Sequence, residues 1–275
     1  MTITCHASPD AGWLTLKAFL GQTMSVLTTG MYDFTSAHIL QAVKTVLTAK
    51  KLNLVLDDAL PNPSRDQTDD ETARAVKDAL ADALDFAWAL ENKDPHAAAW
   101  QFPIAYHIKV AVRDSAAFWL SSGNWNNSNQ PDIDPLTDPA GSAPVARNSD
   151  RDWHVIVQNA ELATLFEKYL LNDLRVATAH QLEAAESAAV ASPPSDLSGL
   201  QQVAIEADAA VPPRVPSRYF APKTITADMK IQPLLTPDNY TDFILPLIQS
   251  ATSSFDMQTQ YIHPRISPVM TLSPR

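Results

Sequence analysis

An α/β domain, its sheet covered by helices on both faces, is what the sequence predicts, with an incomplete second copy of its opening at the C-terminal end. Three observations carry that reading. Short segments of alternating apolar character take turns with longer segments of helical periodicity, the pattern of strands and covering helices. Hydrophobic residues make up 45% and charged residues 19% of 275 residues, enough apolar material for a substantial core. Residues 231–264 echo the N-terminus: Pro9-Asp10 and Pro237-Asp238 each precede an amphipathic helix pattern, and a strand-like run follows to Tyr32 or Tyr261.

The elements follow in order. ASPD at 7–10 is a turn and helix start, and residues 11–23 carry Trp13, Leu14, Leu16, Phe19 and Leu20 at helical spacing. Residues 24–34 read as a strand. Ser36 is placed to cap a helix whose apolar face is Ile39, Leu40, Val43, Val46 and Leu47. KLNLVLDD at 51–58 alternates strictly and predicts a strand. A helix over 69–92 follows, its first turn acidic (Asp69, Asp70, Glu71) as the positive end of a helix dipole favours. Two adjacent strands, IAYHIKVAV and the run through Phe118, Trp119 and Leu120, are joined by a turn at Arg113-Asp114. Residues 130–150, rich in Pro, Asp and Gly, predict a loop. RDWHVIVQN at 151–159 is another strand, and a long helix follows it. From 188 to 222 the composition shifts to Ala, Ser, Pro and Asp without periodicity, the mark of a linker. The expected organisation is a first lobe over 1–187, a linker over 188–222 and the beginning of a second lobe over 223–275.

Charge and composition narrow the chemistry. A net charge of −11 disfavours nonspecific nucleic-acid binding, which calls for a basic surface. Six glycines leave no glycine-rich phosphate loop, and the single Cys5 excludes an internal disulfide. Cys5-His6 lacks the partner spacing of a metal site. No apolar run has the length of a membrane span, and the N-terminus lacks the basic-then-apolar pattern of a secretory signal, so a soluble protein is expected.

The chemistry-bearing stretch is HIKVAVRDSAAFWLSSGNWNNSN, residues 107–129. Residues two apart on a strand share a face, so His107 and Lys109 project together, as do Ser122 and Asn124 on the next segment. An imidazole, an ammonium, a hydroxyl and a carboxamide converging on one spot suit a phosphodiester: the imidazole attacks or protonates, and the others hold the non-bridging oxygens. Taken singly, Ser122 and Asn124 are also ordinary turn formers, Asp114 an ordinary turn residue, and Asp152 an ordinary strand-start residue. His154, two residues past Asp152, shares its face and reads as structural. Trp119 reads as core.

His107, Lys109 and Asp114 form H-x-K-x(4)-D, followed by Ser121-Ser122-Gly123-Asn124. At these residues the chain resembles the phospholipase D superfamily, whose signature is H-x-K-x(4)-D-x(6)-G-S-x-N. Ser121 stands where the signature has glycine. The resemblance runs over most of 5–175, with 231–264 similar to the opening of that family's second half. It implies a lobe with a mixed sheet flanked by helices, and a metal- and cofactor-free reaction through a phosphohistidine that ends in hydrolysis or transfer to an alcohol. It assigns His107, Lys109 and Asp114 to the catalytic motif, with Asp114 bracing it from outside, and Ser122 and Asn124 to substrate. The carboxylate commonly found behind the histidine falls on Asp152, with Asp150 as fallback. The family pairs two motifs, and one imidazole cannot attack and protonate at once. A second motif is missing, so the expectation is a chain incomplete as a monomer, active as a homodimer if at all. The acidic balance ranks phospholipid, with peripheral membrane contact, above nucleic acid. A noncatalytic phosphate-binding protein and a nuclease are the competing readings.

Overall fold

The computed structural model describes residues 1–57, 66–90, 105–188, 218–236 and 238–257. The chain divides into two units, Met1–Ala227 and Asp228–Arg275. The first is built on one eight-stranded sheet. Its strands are β1 (Thr2–Ala7), β2 (Val26–Met31), β3 (Lys51–Leu56), β4 (Leu84–Trp88), β5 (Lys109–Arg113), β6 (Ala117–Ser121), β7 (Trp153–Gln158) and β8 (Lys223–Thr226). They lie in the order β4-β3-β2-β5-β6-β7-β1-β8. The pairs β2–β3 and β3–β4 are parallel, and β2–β5, β5–β6, β6–β7, β1–β7 and β1–β8 are antiparallel. The expected α/β architecture with a mixed sheet is what the chain forms.

Alternation decides which side chain goes to which face. Leu52, Leu54 and Leu56 of β3 and Leu27 and Met31 of β2 join Trp119 in one core cluster. Three helices cover that face: α1 (Gly12–Gly21) through Trp13, Leu16, Phe19 and Leu20, α2 (Ala37–Val46) through Ile39 and Val43, and α3 (Asp69–Leu80) through Val76 and Leu80. On the opposite face α5 (Ala160–Ala188) packs Leu174 and Ala177 against Val55 and Ala87. There Phe166 stacks on Phe118 at 4.4 Å between centroids. Buried polar groups on this face are paired: Asn53 Nδ2 donates to Thr28 Oγ1 at 3.0 Å, and Thr28 Oγ1 donates to Glu167 Oε1 at 3.0 Å.

Four sequence expectations need correction. The helix expected over 69–92 ends at Leu80, where Ala81 takes a positive φ of 46°, and Leu84–Trp88 is strand β4. Its alternation is real: Leu84, Phe86 and Trp88 face one core, and Ala87 faces the other. Five residues of period two, preceded by a strong helix, are masked by the Ala and Leu content around them. The start of α3 is as expected and stronger, with Thr68 and Glu71 forming a reciprocal capping box. Ser36 stands at the N-cap of α2 but makes no capping bond; its Oγ pairs with His38 Nδ1 at 2.8 Å, and Asp66 accepts the Ala37 N–H instead. The loop at 130–150 contains α4 (Pro139–Ala146), opened by Asp138 accepting from Gly141 N and by proline at its first position. Strand β1, for which the sequence offers only the turn at 7–10, and β8, expected within lobe 2, pair in the first unit; Thr2–Thr226 and Thr4–Thr224 hydroxyl pairs, each 2.9 Å, tie them together.

In the second unit, α6 (Tyr240–Gln249) is the helix the N-terminal echo calls for. The end of the strand expected after it, at Tyr261, lies outside the described residues, as do 189–217 of the linker.

Candidate functional site

The sheet order brings one set of strand termini to a common edge. Where β1, β2, β3, β4 and β6 end, β5 and β7 begin. His107 lies two residues ahead of β5 and Lys109 opens it, paired with Met31. Tyr32, the next residue of β2, donates its backbone N–H to Ile108 O at 2.9 Å and holds this start in place.

Tyr32 also ties the two motif side chains together. Its ring meets the His107 imidazole edge to face at 4.8 Å, and the Lys109 ammonium lies 5.1 Å from the centre of the same ring. His107 is solvent-accessible, whereas Lys109 is only 4% exposed. Burial of its stem and head pulls the Lys109 pKa down to about 8, against Asp152, Asp33 and Asp57, which favour the charged form. Loss of hydration, then the Lys109 charge, lowers His107 to about 4. At neutral pH the pair is therefore a neutral imidazole beside a cation. The imidazole lone pair is free to attack, and the ammonium can balance charge on a phosphoryl oxygen.

The turn after β6 supplies the next groups. Ser122 Oγ donates to Asp152 Oδ1 at 2.9 Å and accepts the Trp153 N–H at 3.0 Å. Asn129 Nδ2 donates to Asp152 Oδ2 at 2.8 Å, and Asn129 Oδ1 accepts the Asn124 N–H at 2.9 Å. Asn124 Oδ1 is buried without a hydrogen-bond partner among the described residues. Burial raises the Asp152 carboxyl, partly offset by the Ser122 hydrogen bond. Asp150, the fallback acid, is drawn into the same loop, accepting from Ser128 and Asn129. Gly123 is required for this approach, since a Cβ there would stand 2.5 Å from the Asp152 carboxylate. The loop is anchored to the one after β2 through Trp125 N to Asp33 O at 2.9 Å and Asn126 Nδ2 to Asp33 Oδ2 at 2.8 Å.

Asp114 stands apart. It follows the last residue of β5, roughly 17 Å along the strand from Lys109 at about 3.4 Å per residue. Its carboxylate accepts the backbone N–H groups of Met24, Ser25 and Val26 and the Ser25 hydroxyl. These bonds, outweighing burial, lower its pKa to about 2. Asp114 thus fixes the hairpin turn to the start of β2. Its contacts join the β5 end of the hairpin to the start of β2.

Sequence reasoning missed Tyr32, Asp33, Asp57 and Asn129. Asp57 follows β3 directly and Asp33 lies two residues past the end of β2, and Asp57 accepts the Tyr106 N–H at 2.8 Å, beside His107. The available signal was positional: each acid ends an apolar strand at the edge where the motif begins. Among the described residues no cluster of three or more His, Cys, Asp or Glu is arranged to hold a metal ion, and no helix is long and apolar enough to cross a membrane.

Known structures with a similar chain path include Nuc, a phospholipase D family member from Salmonella typhimurium, at 13% identity and TM-score 0.45, covering 64% of this chain and 95% of that one. NucT from Helicobacter pylori is similar at 14% identity and TM-score 0.45, covering 64% and 97%. A phosphatidylserine synthase of Haemophilus influenzae Rd KW20 is similar at 13% identity and TM-score 0.39, covering 64% of this chain and 38% of that one. No family model and no curated protein matches the sequence.

Proposed function

We propose that this chain is a phosphodiesterase of the phospholipase D kind, in which His107 attacks phosphorus. The N–P bond forms as the P–O bond to the leaving alcohol breaks, and water or another alcohol then displaces the histidine. The observation that carries the reading is the His107 imidazole and the Lys109 ammonium held against one Tyr32 ring at a sheet edge, where burial lowers both pKa values. Lys109, Ser122 and Asn124 are assigned to the phosphoryl oxygens, and Asp152 to the electrostatic support of the site. The leaving alkoxide needs a proton that the attacking imidazole cannot give. A second histidine of this kind, from a second motif or from another copy of the chain across a two-fold axis, is the donor the reading calls for.

A phospholipid is the proposed substrate, because a net charge of −11 opposes a polyanionic nucleic acid more than a single headgroup phosphate. The test is quenched single-turnover labelling with a chromogenic phosphodiester, followed by assays on phosphatidylcholine vesicles and on plasmid DNA. Acid-labile phosphate on His107 and release of headgroup are expected. Binding without an adduct would make the chain a phosphate-binding protein, and cleavage of plasmid alone would make it a nuclease.

A further inference from the structure

Beside the motif the same face carries a second polar constellation. The β5–β6 register, continued by one residue, sets Ser121 next to Lys109; Ser121 pairs with His154, and His154 pairs with His6. His154 is 4% exposed and bonded on both ring nitrogens: Ser8 Oγ lies 2.7 Å from Nε2, and Ser121 Oγ lies 2.7 Å from Nδ1. Trp119 stacks on the ring at 5.6 Å, and His6 packs at 4.8 Å.

The protons in this chain can be assigned. The Ser121 hydroxyl donates its single hydrogen to Gly123 O at 2.9 Å and accepts the Gly123 N–H at 2.7 Å. With that hydrogen directed to Gly123 O, the bond to His154 is an accepted one, the arrangement that carries a hydrogen on Nδ1. Nε2 is then an acceptor, and Ser8 donates to it. The amide of Gln130, whose Nε2 lies 3.3 Å from His154 Nε2, also presents a donor there. A serine hydroxyl given to a neutral imidazole is the opening of a nucleophilic pair, but Ser8 is fully buried and no substrate reaches it. The other end of the chain has a purpose that burial permits. Ser121 closes on both backbone groups of Gly123, the residue between Ser122 and Asn124.

We propose that His154 is a positioning residue: through Ser121 it fixes the Ser122–Asn124 turn against the Lys109 edge, and it reaches the reaction only by that route. Ser121, the departure from the signature glycine, is what connects the turn to the buried imidazole. The inference rests on the phosphodiesterase reading for its kinetic consequence and on hydrogen-bond geometry alone for the rest.

The test separates the two. Long-range ¹H–¹⁵N spectra of the full chain are expected to show His154 as the Nδ1–H tautomer, and S121A to convert it to Nε2–H while shifting the Gly123 amide resonance. On a chromogenic phosphodiester, S121A and H154Q are each expected to lower kcat/KM by about tenfold to a hundredfold. The double variant is expected to be no worse than S121A alone, because the two act in series. An Nε2–H tautomer in the wild type, a Gly123 resonance unmoved by S121A, or losses that multiply in the double variant would overturn the proposal. If H154Q does not fold, S121A decides through the tautomer and the amide. A wild type that turns over no phosphodiester sinks the proposed function, while the spectra still decide the relay.

Discussion

At the scale of single residues, two downward shifts set the pH window of the proposed chemistry. His107 must be neutral to attack, and its pKa is lowered to about 4; Lys109 must be charged to hold a phosphoryl oxygen, and its pKa is lowered to about 8. On a chromogenic phosphodiester, whose activated leaving group needs no proton from a second imidazole, the expected kcat/KM profile rises through about pH 4 and falls through about pH 8. A rising limb at the ordinary histidine value near 6.5 would detach His107 from the rate. H107A is expected to abolish both turnover and labelling, and K109A to lower kcat by about two to three powers of ten, as when one charge-stabilising donor is removed. The motif was legible because its spacing lies within one hairpin. Tyr32, Asp33 and Asp57 were not, because strand order places β2 beside β5 and β3 beyond β2 across fifty residues or more of chain, and no local pattern encodes that order.

Among the elements, the turn leaving β6 and the hairpin closing β5 do different work at opposite sheet edges. Gly123 leaves room for the Asp152 carboxylate, and a methyl group there would overlap it at 2.5 Å. G123A is expected to cost about 1–3 kcal/mol as an overpacked site and to lower kcat/KM, read by denaturant titration and single-turnover kinetics. Asp114 gives the contrasting case. It accepts three backbone N–H groups, yet its carboxylate is largely solvated, so D114A is expected to lower stability by about 1–2 kcal/mol. Its effect on activity is expected to follow the loss of folded protein; a large fall in kcat with stability unchanged would place Asp114 in the chemistry instead. Element reading succeeded where periodicity was long, as in α1 and α5, or where alternation was strict, as in β3. It failed at β1, β4 and β8, strands of six, five and four residues that a sheet completes by pairing.

Across the whole first unit, a sheet that gathers its functional groups at one edge also buries imidazoles there, and that couples the fold to pH. His6 and His107 are lowered to about 4 and His154 well below the ordinary value, each chiefly by burial. In the unfolded chain these rings titrate near 6.5. Between that value and about 4 the unfolded chain binds protons that the folded chain refuses, so stability is full above about pH 6.5 and declines as pH falls toward 4. Asp152, with its carboxyl raised, runs the other way and softens the decline. The thermal midpoint is expected to fall steadily from pH 7 to 4.5. The fall should be shallower in H6F, which keeps a ring beside His154 at the 4.8 Å contact but removes a titrating group. A midpoint that stays level over that interval would mean the buried rings accept protons in the folded state. The Ser8–His154–Ser121 chain could not then hold the tautomer on which the positioning of the substrate turn depends.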